Sequence, residues 1–391
     1  MVTSFTHQVG GHPSTILSSP LSSSTLIKPA CSTELDFYQS LGPSLVRGEF
    51  MREWCPAFYG TLKLQGKVQG NDNNNEGEDE LSEETAPSQM LVLENLTHNF
   101  RKPNVLDIKL GQILYDEQSA SPEKIEKMKK AAEKTTSGEL GLRLTGFQVW
   151  DTISKSYFQT SKPFGRTLLP SELDLGLSRF FYPPYTSLTS AEQQQQEQQQ
   201  ESSSTSTSSS SKDVSLPIPP NSFPSPLPPD LLLPILRTLL HRLESLSTML
   251  KTREDLRRLR MIGTSLLIVI EGDPEVLEKS LLRAVESTTL PHTDQEEGEE
   301  EDEDEEEDMD EEGNATEDSL IPFEIKLIDF AHTTLSPSPS SSSSSGDGTR
   351  NEISEGVSKG VANLKDGLKR LVERLEKEEE EERKTGKMVR N

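Results

Sequence analysis

Three short stretches of this chain bring ionisable side chains to where they could act together on an anionic substrate. The first is Pro103-Asn104-Val105-Leu106-Asp107-Ile108-Lys109-Leu110-Gly111. Alternate side chains of a strand share a face, so Leu106, Ile108 and Leu110 point into a core while Asp107 and Lys109 project together on the other side. Gly111 then frees the chain to turn. A surface ion pair on an ordinary strand would carry the same local pattern. The second stretch, Leu327-Ile328-Asp329-Phe330-Ala331-His332, ends an apolar strand on an aspartate. Phosphoryl transfer from ATP requires Mg²⁺ bridging phosphate oxygens, and a carboxylate on a rigid strand end is a usual ligand for it. A turn cap would read the same way locally, and a lone His332 fits a structural histidine equally well. The third stretch opens at Ser121-Pro122-Glu123, with Ser as N-cap, Pro at the first helical position and Glu at the positive end of the dipole. On the helix that follows, Lys124, Lys127, Lys130 and Lys134 fall within an arc of roughly 120° at 100° per residue. Such a stripe can meet several phosphates, or it can be a solvated face balanced by Glu126 and Glu133.

The elements that must position these groups are legible in the same way. Leu26-Ile27-Lys28 reads as a strand, followed by a helix with Leu35, Tyr38 and Leu41 at helical spacing. Met90-Leu91-Val92-Leu93 has the short apolar run of a buried strand. Further strands are expected at 140–150, 263–270 and 323–330, with Gly165-Arg166 in a turn before an amphipathic segment at 171–181. A long helix from about 230 to 250 puts Leu236, Leu239, Leu240, Leu243 and Leu246 or Leu250 on one face. Residues 352–375 form a closing amphipathic helix.

Composition limits how much of the chain can pack. Of 391 residues only 31% are hydrophobic and 5% aromatic, too few for one uniformly folded globule of that length. Biased composition without apolar periodicity marks 67–88, 186–228, 291–318, 336–351 and 376–391 as disordered, leaving enough chain for one large domain or two lobes. The net charge of −26 is concentrated: residues 296–312 hold fifteen carboxylates and 70–84 another seven, so the remainder is nearly neutral. A local basic pocket for phosphates is therefore compatible with the charge. The two cysteines, Cys31 and Cys55, have no metal-site or disulfide-framework spacing, which points to a reducing compartment. The longest apolar stretch, Leu231 to Leu240, is interrupted by Pro234 and Arg237, so no membrane span is expected.

Taken in order, the motifs resemble the inositol polyphosphate kinase family, whose signature runs PxxxDxKxG, SSLL, IDFAH. The first is intact at Pro103 to Gly111 and the last at Ile328 to His332; the middle one reads Thr264-Ser265-Leu266-Leu267, a swap that keeps the hydroxyl. His7-Gln8-Val9-Gly10-Gly11-His12, Leu35-Asp36-Phe37-Tyr38, Leu93-Glu94-Asn95-Leu96-Thr97, Gly165-Arg166 and Glu271-Gly272 extend the likeness over most of the expected folded portion. The resemblance implies an α+β, two-lobed, protein-kinase-like fold with disordered inserts. Residues 1–97 would be an ATP-binding lobe with its hinge at Leu93–Thr97, residues 98–375 a catalytic and inositol-phosphate-binding lobe, and 376–391 a charged tail. It also implies ATP and Mg²⁺. Lys28 would grip the ATP phosphates, Glu94 and Leu96 would bind adenine through their backbone, and Asp107 would hold the ribose near the reacting centre. Asn95 departs from the acidic residue common in the family. Lys109 would bridge substrate and transferring phosphoryl group, Ser265 and Asp329 would hold Mg²⁺ and phosphate, and His332 would face the substrate. Lys124, Lys127 and Lys162 match family substrate positions, and Lys130 extends their stripe.

Within the family only Gln112 to Leu140 separates the first motif from the next strand, too short for the larger substrate-binding insert of the trisphosphate 3-kinases. Leu114-Tyr115-Asp116 and Thr135-Thr136-Ser137-Gly138 look most like the multikinases, with hexakisphosphate kinases as the alternative. Inositol tris- and tetrakisphosphates are the expected substrates, and phosphoinositide headgroups a further candidate class. A different reading is a regulatory scaffold whose acidic insert docks transcription or chromatin partners; the retained Lys28, Asp107, Lys109 and Asp329 argue against an idle site. No direct nucleic-acid binding is expected. The chain is expected to be a monomer of nucleus and cytoplasm.

Overall fold

Two antiparallel sheets form because two strands in this sequence are apolar enough to be covered on both sides. Met90–Glu94 is an inner strand, β5, of one sheet, and Pro103–Leu110 the central strand, β6, of the other. The computed structural model describes residues 3–10, 16–19, 22–63, 89–117, 119–160, 163–183, 226–289, 320–336 and 347–385. The first sheet has the order β1-β2-β3-β5-β4, with β1 at Thr3–Ser4, β2 at Leu17–Ser18, β3 at Thr25–Pro29 and β4 at Phe58–Leu62. Between β3 and β4 the chain forms α1 (Ser32–Asp36), a π-helical turn, α2 (Gly42–Ser44), a 3₁₀ turn and α3 (Glu49–Trp54). Their Phe37, Leu45, Phe50 and Trp54 are fully buried, and the Phe37 ring stacks on Phe330 at 3.9 Å, so one core joins both sheets.

The second sheet runs β11-β10-β6-β7-β8, with β7 at Leu142–Asp151, β8 at Ser156–Gln159, β10 at Ser265–Glu271 and β11 at Phe323–Ile328. A two-stranded ribbon pairs β9 (Leu259–Ile262) with β12 (His332–Leu335). After β6 come α4 (Pro122–Glu133) and α5 (Thr136–Leu140), and after β8 come α6 (Phe164–Thr167) and α7 (Leu173–Phe181). The helices α8 (Pro229–Thr252), α9 (Glu254–Arg257), α10 (Pro274–Thr289) and α11 (Asp347–Thr385) complete the fold. Helix α8 buries Leu232, Leu236, Leu239, Leu243, Leu246 and Leu250; α11 buries Val357, Val361, Leu364, Leu368, Leu371 and Leu375. Each fully buried leucine contributes about 1.5–3 kcal/mol, so these two stripes are a principal source of stability. Arg237–Glu376 at 2.7 Å and the ion pair Lys365–Glu244 tie the helices together at the rim.

The described residues correct four expectations. Residues 347–351 and 376–385, assigned to an insert and a tail, are helical: α11 runs through both ends of the expected 352–375. Its C-terminal extension is sustained by Lys/Arg–Glu pairs four apart, among them Lys377–Glu381, Arg383–Glu379 and Lys384–Glu380. Leu227, placed in the linker, is buried against the core just before α8. Gly165-Arg166 lies inside a short helix instead of a turn, and Gly165 sits against the Leu144 carbonyl, 1.7 Å from where a Cβ would be. The 67–88 and 291–318 segments, and 186–225 of the linker, lie outside the described residues. Cys31 and Cys55 are both free thiols, and no described helix is long and apolar enough to cross a membrane.

Candidate active site

Strand register assembles the first two motifs. On β6 and β10, Lys109 faces Ser265 and Asp107 faces Leu267; on β10 and β11, Ser265 faces Ile328, so the chain leaves the sheet at Asp329 beside them. Asp329 takes a left-handed conformation, φ 65°, which costs an L-residue some energy but which aspartate tolerates better than most. Its Oδ1 accepts from Lys28 Nζ at 2.7 Å, closing a contact across 301 residues of sequence. Lys28 Nζ also donates to Glu34 Oε1 at 2.8 Å, and the same Glu34 oxygen accepts from the Phe330 N–H at 3.3 Å. Burial opposes the charge on Asp329, but Lys28 and Lys109 outweigh it and hold the carboxyl below its usual range. Burial likewise opposes the Lys28 ammonium, while Asp329 and Glu34 hold it above its usual range.

Glu34 was not singled out from the sequence. It is 1% exposed at the start of α1 and plays the part that a helix glutamate plays for the strand lysine of a protein kinase. A carboxylate six residues after that lysine, at the start of a predicted helix, was the available signal.

Asp107 is 5% exposed, and its Oδ1 has no hydrogen-bond partner. Burial, then the charge of Asp329, push its carboxyl up to about 6, against the opposing effects of Ser265, Lys109 and Arg143. Arg143 faces Lys109 across β6 and β7, and its Nε is also buried without a partner. Burial and the neighbouring Arg166 lower its pKa, against the opposing effect of Asp107. Neither arginine is among the site residues expected from the sequence: Arg143 is a single Arg in an alternating strand, which carries no distinctive pattern, and Arg166 enters only as part of the Gly165-Arg166 stretch.

The connection between the sheets follows β5. Glu94 Oε2 accepts from the Ala57 N–H at 3.0 Å, and Asn95 donates to the Ser23 carbonyl at 2.7 Å and accepts from Thr97. The departure at Asn95 is thus absorbed in local structure. A cavity opens beside this segment, lined by Lys28, Leu93, Glu94, Leu96, Asp107 and Asp329.

The third motif is built differently. Helix α4 starts where expected, with the Lys124 N–H donating to Ser121 Oγ at 3.3 Å. Lys124, Lys127 and Lys130 are exposed, and Lys130 pairs with Glu126 at 3.2 Å, so it belongs at least partly to the solvated face. Lys134 caps the helix end. His332 is exposed and faces Ile262, next to Gly263, which approaches the Lys109 ammonium. Lys162 lies outside the described residues.

The donor set fits Mg²⁺. Asp329 keeps 40% of its side chain exposed and follows Ile328, the residue in register with Ser265; a carboxylate and a hydroxyl are both hard oxygen donors. Among the described residues no cluster of three or more His, Cys, Asp or Glu could hold a metal alone, so a cation there would be completed by phosphate oxygens.

A strand lysine paired to a helix glutamate and to a strand-end aspartate, at a cavity bordered by β5, is the arrangement of a phosphotransferase of kinase-like architecture. The family model described as inositol polyphosphate kinase matches residues 90–207 and 230–369, and the chain belongs to that family. It is 29% identical to the inositol polyphosphate multikinase of Saccharomyces cerevisiae over 90% of this chain and 94% of that one. It is 32% identical to the Schizosaccharomyces pombe inositol polyphosphate multikinase over 45% of this chain and 62% of that protein. The crystal structure of the S. cerevisiae inositol phosphate multikinase in complex with ADP and Mn²⁺ superposes with a TM-score of 0.52 at 25% identity, covering 89% of this chain and 99% of that one.

Proposed function

We propose that this chain is an inositol polyphosphate multikinase that transfers the γ-phosphoryl group of ATP to hydroxyls of inositol tris- and tetrakisphosphates, yielding the pentakisphosphate. The observation that carries this reading is the Lys28–Glu34–Asp329 triangle set beside Asp107 and Lys109. Lys28, fixed by two carboxylates, orients the nucleotide phosphates. The buried Asp107 carboxylate, with one oxygen unpartnered, accepts a ribose hydroxyl close to the reacting centre. Lys109 stands between the nucleotide and the inositol phosphate, and His332 with Lys124 and Lys127 of α4 faces the substrate's remaining phosphates. Mg²⁺, held by Asp329 and Ser265, would neutralise charge on the transferring group.

Similarity to the multikinases of two yeasts supports the branch, and the short Gln112–Leu140 connection supports it against the larger 3-kinase insert. Purified chain incubated with ATP, Mg²⁺ and inositol 1,4,5-trisphosphate should yield tetrakis- and then pentakisphosphate in sequence. Turnover of inositol hexakisphosphate alone would transfer the chain to the pyrophosphate-forming branch, and no turnover of either would overturn the reading.

A further inference from the structure

Tyr115 and Asp116 lie in the connection between β6 and α4 and are not among the residues lining the Lys28–Asp107 cavity. Tyr115 faces the lysine-bearing helix. It is 9% exposed, and the Lys129 ammonium of α4 stands 5.7 Å from the centre of its ring, within cation–π range. Asp116 starts the turn that launches the same helix. Its carbonyl accepts from the Ser119 and Ala120 N–H groups at 3.3 and 2.9 Å, and its Oδ2 accepts from Ser119 Oγ at 3.0 Å, which delivers Ser121 to the N-cap. The other carboxylate oxygen meets a different element. Oδ1 lies 3.5 Å from Nη2 of Arg260 on β9, an ion pair whose side chains are only 21% and 11% exposed.

Strand β9 carries that arginine to the ribbon that holds His332. Arg260 is in register with Thr334 of β12 and Ile262 with His332, so Arg260 and His332 lie diagonally on one face of the ribbon, about 7–8 Å apart along the backbone. Met261 and Thr333, on the opposite face, are each 1% exposed and look into the protein. Arg260 itself is 9% exposed, with its Nε lacking a partner. Among the described residues, Asp116 supplies the carboxylate that its guanidinium reaches. A guanidinium so enclosed has given up most of its hydration and presents its donors in a fixed fork, so it holds Asp116 at one place relative to β9.

We infer that Tyr115-Asp116 is the joint that sets α4 against the β9–β12 ribbon, and that Arg260 is a positioning residue for the inositol phosphate. The inference rests on the proposed substrate roles of Lys124 and Lys127 on α4 and of His332 on β12. Those groups sit on a helix and a strand far apart in the chain, so their spacing is set by whatever ties the two elements together. Two adjacent residues touch both, Tyr115 through Lys129 and Asp116 through Arg260. A firm joint holds the cations at the spacing of the substrate's phosphates before it arrives, whereas a loose one leaves that ordering to be supplied by binding. The nucleotide, met by Lys28 and Asp329 on other elements, is indifferent to it.

The test uses the full chain and steady-state kinetics with ATP, Mg²⁺ and inositol 1,4,5-trisphosphate. Arg260→Met removes the charge and keeps a long apolar stem; Asp116→Asn keeps the shape and removes the charge. Each should raise the Michaelis constant for the inositol phosphate by about two- to tenfold, the net worth of one hydrogen bond, with kcat and the Michaelis constant for ATP unchanged. The double variant should be no worse than Arg260→Met alone. Lys127→Ala should cost less in either background than in the wild type, since a displaced α4 has less to lose. If Arg260→Met does not fold, Asp116→Asn with Lys127→Ala carries the test. An unchanged constant for inositol phosphate in the folded variants, or a rise shared equally with ATP, overturns the joint and leaves the kinase reading intact. Penalties that multiply in the double variant, as they would if Arg260 bound phosphate itself, overturn it as well. A wild-type chain that phosphorylates no inositol phosphate overturns the kinase reading and the joint with it.

Discussion

The floor of the cavity and the lysine stripe of α4 are proposed to serve the same anionic chemistry but are built on opposite terms. On the floor, Lys28, Glu34 and Asp329 are drawn from three elements and locked to one another within 2.8 Å, with Asp107 buried beside them. On α4, Lys124, Lys127 and Lys130 stand exposed on one helix, and the ion pair among them is an ordinary surface one four residues apart. Buried charges interact strongly and tolerate no slack, whereas exposed ones are screened and individually replaceable. The floor can therefore set the rate of a reaction and the stripe its affinity for substrate. What separates the two regions is pairing between elements around the buried Glu34 and Asp107, against lysines that stand in solvent on a single helix.

That division is most directly broken at the floor. Asp329→Asn keeps the shape and tolerates the left-handed backbone, yet removes the charge that pairs with Lys28 and that is proposed to hold the metal. Turnover should fall by about 10³ or more with every inositol substrate alike. A loss confined to one substrate would mean that Asp329 reads the inositol. Lys109→Ala should cost about 10² to 10³ in turnover while ADP binding survives. Glu34→Gln leaves Lys28 with Asp329 alone and should cost roughly tenfold, mainly in the Michaelis constant for ATP, because the lysine is no longer held from both sides. If steady-state kinetics show no change, Glu34 only packs α1.

Asp107 sharpens the comparison from the side of stability. Its carboxyl is raised from 3.8 to about 6, so between those values the folded state holds a proton that the unfolded state has lost, and stability falls as pH rises through that window. At pH 7 its charge costs about 3 kcal/mol at most. Asp107→Asn should therefore raise the unfolding free energy at pH 7 while nearly abolishing turnover, and the gain should disappear below about pH 4, where Asp107 is neutral in both states. Equal denaturation midpoints for the two proteins at pH 7 would contradict the burial argument.

The stripe should respond weakly. Lys127→Ala should raise the Michaelis constant for inositol phosphate a few-fold and leave turnover at saturation intact. Lys130→Ala should do less still, because its pair with Glu126 is worth only about 0.3–0.5 kcal/mol. Abolished turnover in either variant would move α4 from recognition into catalysis.

Much of this was written locally. Alternation in Pro103–Leu110 told which side chains share a face with Asp107, the apolar runs gave the inner strands, and Ser121-Pro122-Glu123 marked the start of α4 within a residue. The order of the motifs identified the family. Those readings succeed because periodicity and capping depend on neighbours a few residues apart. What the tertiary structure alone decided is which of these groups meet and which remain in water. Lys28 and Asp329 touch across 301 residues, Glu34 becomes the third member of their cluster, Arg143 comes opposite Lys109 in the sheet, and Gly10 settles on the Asp107 carboxylate. No period or spacing encodes such contacts. They follow from the register of β6 against β7 and β10, and from a core shared by both sheets, which select among many equivalent charged residues by burying a few and leaving the rest solvated.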